Sequence, residues 1–210
     1  MKLYSYYRSS AAYRVRIALN LKGLPYDYVP VNLLANEQKS DPYMARNPQG
    51  LVPALELEDG EIIAQSVAIL EWLEETCPSP ALLPGDPLLR ARVRSLVNSI
   101  ACDIHPLNNS SVLAYLRTHL GAGAEEVQHW YCNWVDRGFS AIERHLAQTM
   151  GDCCFGDSPT LADVCLVPQV YNARRFAVPM EQYPNIRKVD QHCCSLEAFA
   201  RAAPEAQPDG

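Results

Sequence analysis

The chain reads as a mixed α/β unit of order β-α-β-α-β-β-α followed by an all-helical unit. Three observations predict this. Short strand and helix signals alternate through the first eighty residues. A segment with four prolines in eleven residues, 77–87, then interrupts the pattern. Beyond it the strand signals fade and helical periodicity takes over. The expected domains are therefore 1–80 and 87–210, joined by the proline-rich linker.

The elements follow in order. Residues 2–7 read as a strand. Residues 11–22 carry apolar Val15, Ile17, Ala18, Leu19 and Leu21 and stop at Gly23, a helix that ends on a glycine. Residues 26–31 are β-rich, and 37–46 form a weaker helix stopped by Asn47-Pro48. Residues 52–57 and 61–64 flank Glu58-Asp59-Gly60, whose Asp-Gly is a hairpin signal. Ser66 is placed to cap a helix with Ile69, Leu70 and Leu73 inward and Glu71, Glu74 and Glu75 outward. In the second unit, 88–101, 112–120, 125–149, 161–175 and 186–202 read as helices. Thr160-Leu161-Ala162-Asp163 is a capping-box pattern with a structural role at the start of a core helix.

Composition narrows the function. Of 210 residues, 48% are hydrophobic and 20% charged, a globular balance. A chain of this size buries about 70% of its unfolded surface. The formal charge is 18 − 24 = −6, which argues against nucleic acid as a partner. No apolar run approaches the roughly 20 residues of a membrane helix. The stretch after Lys2 lacks an apolar signal region, so no membrane association and a cytoplasmic setting are expected. Arginine outnumbers lysine 14 to 4, which favours planar anions such as carboxylates, although GC-rich coding gives the same bias. The eight cysteines are irregularly spaced and form no C-x-x-C, so no metal is expected, and the thiols read as small packed hydrophobes.

Three short segments could carry chemistry. In Tyr7-Arg8-Ser9-Ser10-Ala11-Ala12, two hydroxyls stand at a helix start, where they either cap the helix or donate to an anion. In Leu51-Val52-Pro53-Ala54-Leu55, a proline opens a strand and turns the Val52 backbone toward a peptide-like ligand, or simply marks an edge strand. Gln65-Ser66 offers an amide, a hydroxyl and free helix N–H groups to a carboxylate, or is a plain cap.

Taken in this order within a β-α-β-α-β-β-α unit, the segments resemble the thioredoxin-like domain of a glutathione transferase. Arg8-Ser9-Ser10 with Arg14-Val15-Arg16-Ile17-Ala18-Leu19 resembles the S-S-C-x-x-R-V-R-I-A-L signature of its zeta class. Leu161-Ala162-Asp163-Val164-Cys165-Leu166-Val167-Pro168-Gln169-Val170 and Gln207-Pro208-Asp209 extend the likeness over essentially the whole chain. One position departs: Ala11 stands where the signature has cysteine, so a part for that thiol is absent.

The resemblance implies glutathione as cofactor and a dicarboxylate as substrate. It assigns thiolate stabilisation to Ser9, with Ser10 as a supporting donor. It implies glutathione contacts at Ser9, Ser10, Ala11, Gln38, Val52, Gln65 and Ser66. From the second unit it adds His105, Asn109, Ser110 and Ser111, with His105 a hydrogen-bonding residue or a structural histidine. Arg8 and Arg175 are the candidate holders of the substrate carboxylates, while Arg174 reads as a solvated helix face. The implied reaction is cis–trans isomerisation of maleylacetoacetate by thiolate addition, rotation and elimination. A thiol of pKa near ~8.5 must be lowered by roughly two units to be largely ionised at neutral pH, about 2.7 kcal/mol of differential stabilisation. Maleylpyruvate isomerases are the neighbouring alternative. Arginines are expected near Ser110-Ser111 in that subgroup, and the serines tilt the reading toward maleylacetoacetate. A non-catalytic binding protein of the same fold is the third reading. The family likeness further implies a homodimer in aromatic (tyrosine) breakdown.

Overall fold

The computed structural model describes residues 1–210. The chain divides into two compact units, Met1–Leu82 with Cys194–Gly210, and Leu83–Cys193. The final segment was expected with the helical domain and instead belongs to the first unit.

In the first unit, β1 (Lys2–Ser5) lies at the centre of a four-stranded sheet of order β2-β1-β3-β4. It pairs in parallel with β2 (Asp27–Pro30) and antiparallel with β3 (Ala54–Glu56). β3 pairs antiparallel with β4 (Ile62–Ala64). Strands β1, β2 and β4 therefore run the same way, and whatever follows each of them starts at one edge of the sheet. Alternation along β1 sends Leu3 and Ser5 to one face. Tyr4 packs with Tyr6, Val31, Tyr43, Val52 and Ala54.

Helix α1 (Ser10–Leu21) follows β1 and buries Val15, Ile17, Ala18 and Leu19. It ends as its sequence demands. Gly23 has φ +63°, its N–H reaches Asn20 O, and Leu24 N reaches Leu19 O, the two bonds of a Schellman motif. After β2 the expected weak helix is broken into a 3₁₀ turn, Glu37–Lys39, and a single helical turn, α2 (Asp41–Met44). Ser40 in extended conformation separates the two, and Pro42 in the first turn of α2 has no N–H with which to continue a helix from the turn before.

Helix α3 (Ser66–Thr76) follows β4. Ser66 is its first helical residue rather than its cap, a position held by Gln65. Glu74, expected outward, is buried. Its carboxylate meets the Lys22 ammonium at 2.8 Å and accepts from Leu82 N. Lys22 Nζ also donates to the carbonyls of Cys77 and Pro80, so all three of its protons are used. The expected helix over 186–202 is two helices, α8 (Pro184–Ser195) and α9 (Glu197–Ala202). Leu196 sits between them in extended conformation, and α9 packs on α1.

The helical unit contains α4 (Pro87–Asn98), α5 (Ser110–His119), α6 (Ala124–Thr149) and α7 (Leu161–Arg175), with most of α8. α7 is buried nearly all round, as its apolar sequence requires of a central helix. Its capping box is formed: Thr160 N and Oγ1 donate to Asp163 Oδ2. α6 turns Val127, Tyr131, Val135, Phe139, Ile142 and Leu146 inward at helical spacing. The helix expected over 88–101 stops at Asn98 and continues as a π-helical segment, Ser99–Ile104. Gly138 on α6 admits Ile104 there, since an added Cβ would lie 2.2 Å from its Cδ1.

Candidate functional site

The three sequence segments meet at one sheet edge in the first unit. Ser9-Ser10 follows β1, Gln65-Ser66 follows β4, and Val52 precedes β3, which runs the opposite way. The register aligns Tyr4 with Ala54 and Ala54 with Ala64, so all three segments leave the sheet at the same level. The turn holding Gln38 follows β2 and reaches that edge too. This convergence follows from strand direction alone.

Ser9 is the N-cap of α1, and its Oγ accepts from Ala12 N at 3.2 Å. Accepting leaves the hydroxyl proton available for an outward donation, and the donation is strengthened by the bond received. The Ala11 N–H has no partner in the chain, as expected at a helix start. Ser10 is buried one turn before Arg14 on the same face of α1. Arg14 is buried, and its Nη1 donates to Ser66 Oγ at 3.2 Å, tying the starts of α1 and α3 together. Arg8 is exposed, with its guanidinium over the Tyr7 ring at 4.8 Å.

Val52 lies in a cis Val52-Pro53 peptide, and its N–H and C=O have no partner in the chain. The neighbouring Leu51 carbonyl is by contrast doubly held, by Tyr43 OH at 2.6 Å and Asn47 Nδ2 at 2.8 Å. Burial raises the Tyr43 pKa to about 12, so this phenol stays protonated as a donor at neutral pH. Gly50, with φ +60°, lies against the Gln38 turn, where a Cβ would stand 2.9 Å from the Gln38 carbonyl. Gln38 keeps a buried Oε1 without a hydrogen-bond partner.

Gln65 has φ +71° without being glycine, a conformation held against its cost and found at ligand clamps. Its amide donates to Gln49 Oε1 at 2.7 Å. The N–H groups of Val67 and Ala68 at the start of α3 are open.

In the helical unit, the remaining candidates gather around the beginning of α6. His105 precedes the 3₁₀ turn Pro106–Asn108. Trp130 Nε1 donates to Leu107 O at 2.7 Å and Asn108 Nδ2 to Tyr131 O at 3.4 Å. Asn109 caps α5 by accepting from both N and Oγ of Ser111, while Ser110 and Ser111 are exposed. At the end of α7, Phe176 stacks on Tyr131 at 4.0 Å, and Gln128 Nε2 donates to its carbonyl. Arg175 is exposed over that Phe176 ring at 5.1 Å and bonded to Asn172. Arg174 is not a merely solvated group: it pairs at 2.6 Å with buried Asp190, binding α7 to α8. Gln128, Trp130 and Tyr131 stand within the long helical stretch 125–149 in no local motif, so nothing in the sequence singles them out.

One cysteine cluster exists in this unit. Cys153, Asp163 and Cys193 are buried with ligand atoms within 4.8 Å of one another. The Asp163 oxygens are already taken by Cys154 N, Thr160 N and Thr160 Oγ1. Burial also holds the Cys154 thiol well above its ordinary range, so it remains protonated.

Comparison with known proteins places this geometry. The N-terminal domain model of glutathione S-transferases matches residues 8–76, and the corresponding C-terminal domain model matches 134–189. The maleylacetoacetate isomerase of Pseudomonas aeruginosa is 52% identical over 213 residues, covering 100% of this chain and 98% of that one. The chain belongs to the glutathione S-transferase family. Among solved members, a maleyl pyruvate isomerase described as a bacterial zeta-class glutathione S-transferase is 52% identical with a TM-score of 0.97, covering all of both chains. A maleylacetoacetate isomerase from Methylobacterium extorquens AM1, holding malonate and GSH, is 40% identical with a TM-score of 0.95 over 99% of this chain and 98% of that one. These place the chain with the zeta-class glutathione S-transferases.

Proposed function

We propose that this protein isomerises maleylacetoacetate to fumarylacetoacetate with glutathione as a regenerated thiol catalyst. The observation that carries the reading is the convergence of Ser9, Val52 and Gln65-Ser66 on one edge of the sheet. The residues fit the tripeptide. The open N–H and C=O of Val52 suit a peptide backbone added as a strand is. The open amides of α3 with Gln65 and Ser66 suit a carboxylate, and Gln38 offers its unpartnered oxygen to a donor. Ser10, Ala11, His105, Asn109, Ser110 and Ser111 are proposed as further glutathione contacts.

When bound, glutathione supplies a thiolate whose reversible addition to a conjugated alkene lets that bond rotate. The protein's part is electrostatic. Ser9 donates its hydroxyl proton to the sulfur position while its oxygen is held by Ala12 N–H, and the start of α1 adds its positive end. With Ala11 in place of a thiol, Ser9 and Ser10 are the side-chain donors left at the signature's S-S-C positions. Arg8 and Arg175 are proposed to hold substrate carboxylates, both being exposed and neither committed to an ion pair. With the same reading go a homodimer, a cytoplasmic setting and tyrosine breakdown, which rest on the family likeness.

Maleylpyruvate is the second reading, favoured by the 52% identity to a solved maleyl pyruvate isomerase. Against it stand Ser110 and Ser111, uncharged at the exposed start of α5. A non-catalytic binding protein would have no use for a polarised Ser9 hydroxyl. The test is the ratio of kcat/KM for maleylacetone and maleylpyruvate at saturating glutathione. Preference for maleylacetone is expected; a tenfold preference for maleylpyruvate transfers the assignment to the second reading.

A further inference from the structure

The Tyr7 peptide, which joins β1 to the Arg8-Ser9 turn, is held at both of its ends. Its N–H donates to Asp209 Oδ2 at 3.2 Å. Its carbonyl accepts from Nη2 of Arg16 at 3.0 Å. Asp209 is itself fixed, because its other oxygen accepts from Tyr28 OH at 2.6 Å. Arg16 is fully buried and also donates from Nε to Ala202 O and from Nη1 to Ser5 Oγ and, weakly at 3.5 Å, to Tyr6 O. That Tyr6 carbonyl receives Ser9 N at 2.9 Å. The two contacts thus bracket the backbone that sets where the Ser9 hydroxyl and the Arg8 side chain begin. Burial works against the Arg16 charge, and Tyr28, Tyr26, Tyr13 and Asp209 around it offset that only in part.

We propose that Asp209, returning from the far end of the sequence, is a positioning residue for Ser9. Together with Arg16 it clamps the Tyr7 peptide, so the Ser9 hydroxyl stays aimed at the sulfur position rather than sharing its time among rotamers of a looser turn. The clamp acts on thiol ionisation and not on tripeptide binding, since the Val52 and Gln65-Ser66 contacts lie on other segments. The inference rests on the glutathione reading above and deepens it.

The experiment uses the full chain carrying Asp209→Asn. The substitution is isosteric. It can keep an acceptor toward Tyr28 OH but then turns an amide N–H toward Tyr7 N–H, donor against donor. Tyr28→Phe is the second variant, removing one anchor while the carboxylate remains. Two readouts are made: hydrogen–deuterium exchange of a peptide covering residues 5–12 without ligand, and pH titration of the thiolate absorbance of bound glutathione. In Asp209→Asn the exchange is expected to quicken about 10-fold in that peptide alone, as a lost backbone bond requires. The thiolate titration is expected to move up by about one unit, with glutathione affinity held within about twofold. Tyr28→Phe should show smaller changes of the same sign. A thiolate titration that stays put in both variants overturns the proposal, whatever the exchange does, because Asp209 then only supports the fold. A wild-type complex with no thiolate band contradicts the glutathione reading itself and takes this proposal with it.

Discussion

The Ser9 hydroxyl caps α1, and the proposed function gives it a second duty that does not compete with the first. Its oxygen closes the first turn of α1, and a hydroxyl that accepts one bond keeps its proton to donate, so capping and anion donation are compatible. Ser9→Ala separates the duties by magnitude. Losing the cap should cost about 1 kcal/mol of stability in a denaturant titration. Losing a preorganised donor at the sulfur should lower kcat about 10²-fold while glutathione affinity changes little. Equal falls in affinity and kcat would mean that Ser9 binds the tripeptide rather than tuning its thiol. Residues of this kind were legible because each lies in a short local pattern: Ser9-Ser10 before a helix, Val52-Pro53 before a strand, Gln65-Ser66 at a helix start. Arg14, Arg16 and Asp209 were legible only as matches to a signature. Their roles depend on partners as distant as Ser66, Ala202 and Tyr7, which no local spacing reveals.

At the scale of elements, the strands and helices of the first unit follow from period and turn chemistry, and the failures share one cause. Glu74 stands four residues after inward Leu70, at the border of the apolar face of α3, and its charge alone groups it with Glu71 and Glu75. Its burial is decided by Lys22 at the end of α1 and by the 77–82 segment folding over both. Arg174 is misjudged in the same way because Asp190 is on another helix. The break at Leu196 was invisible because the apolar spacing of α8 continues into α9 without a glycine or proline between them. The Lys22–Glu74 pair tests this view of the element. Lys22→Met strands a buried carboxylate and two carbonyls and should cost about 3 kcal/mol in urea unfolding. Adding Glu74→Leu should recover part of that loss, because the orphaned charge goes with it. A double variant that is simply additive would mean the two side chains do not act as a pair.

At the scale of the whole molecule, the chain divides at Leu82 and Leu83 and returns to its first unit after Cys193, a return that no composition signal announces. That return brings α9 against α1 and Asp209 to the Tyr7 peptide, so the last residues serve the segment that bears Ser9. The acidic balance, −6 over the chain, is a property of the surface and leaves the site's own polarity to the starts of α1 and α3 and to Arg8. In the proposed function this polarity serves a thiol that is used and given back. The direct measurement is maleylacetone isomerisation with glutathione limiting, followed by assay of the free thiol once absorbance stops changing. Many turnovers per glutathione with the thiol fully recovered, and no comparable rate without it, is the predicted result. Isomerisation that proceeds as fast without glutathione, or that stops after one equivalent with the thiol consumed, would contradict the account.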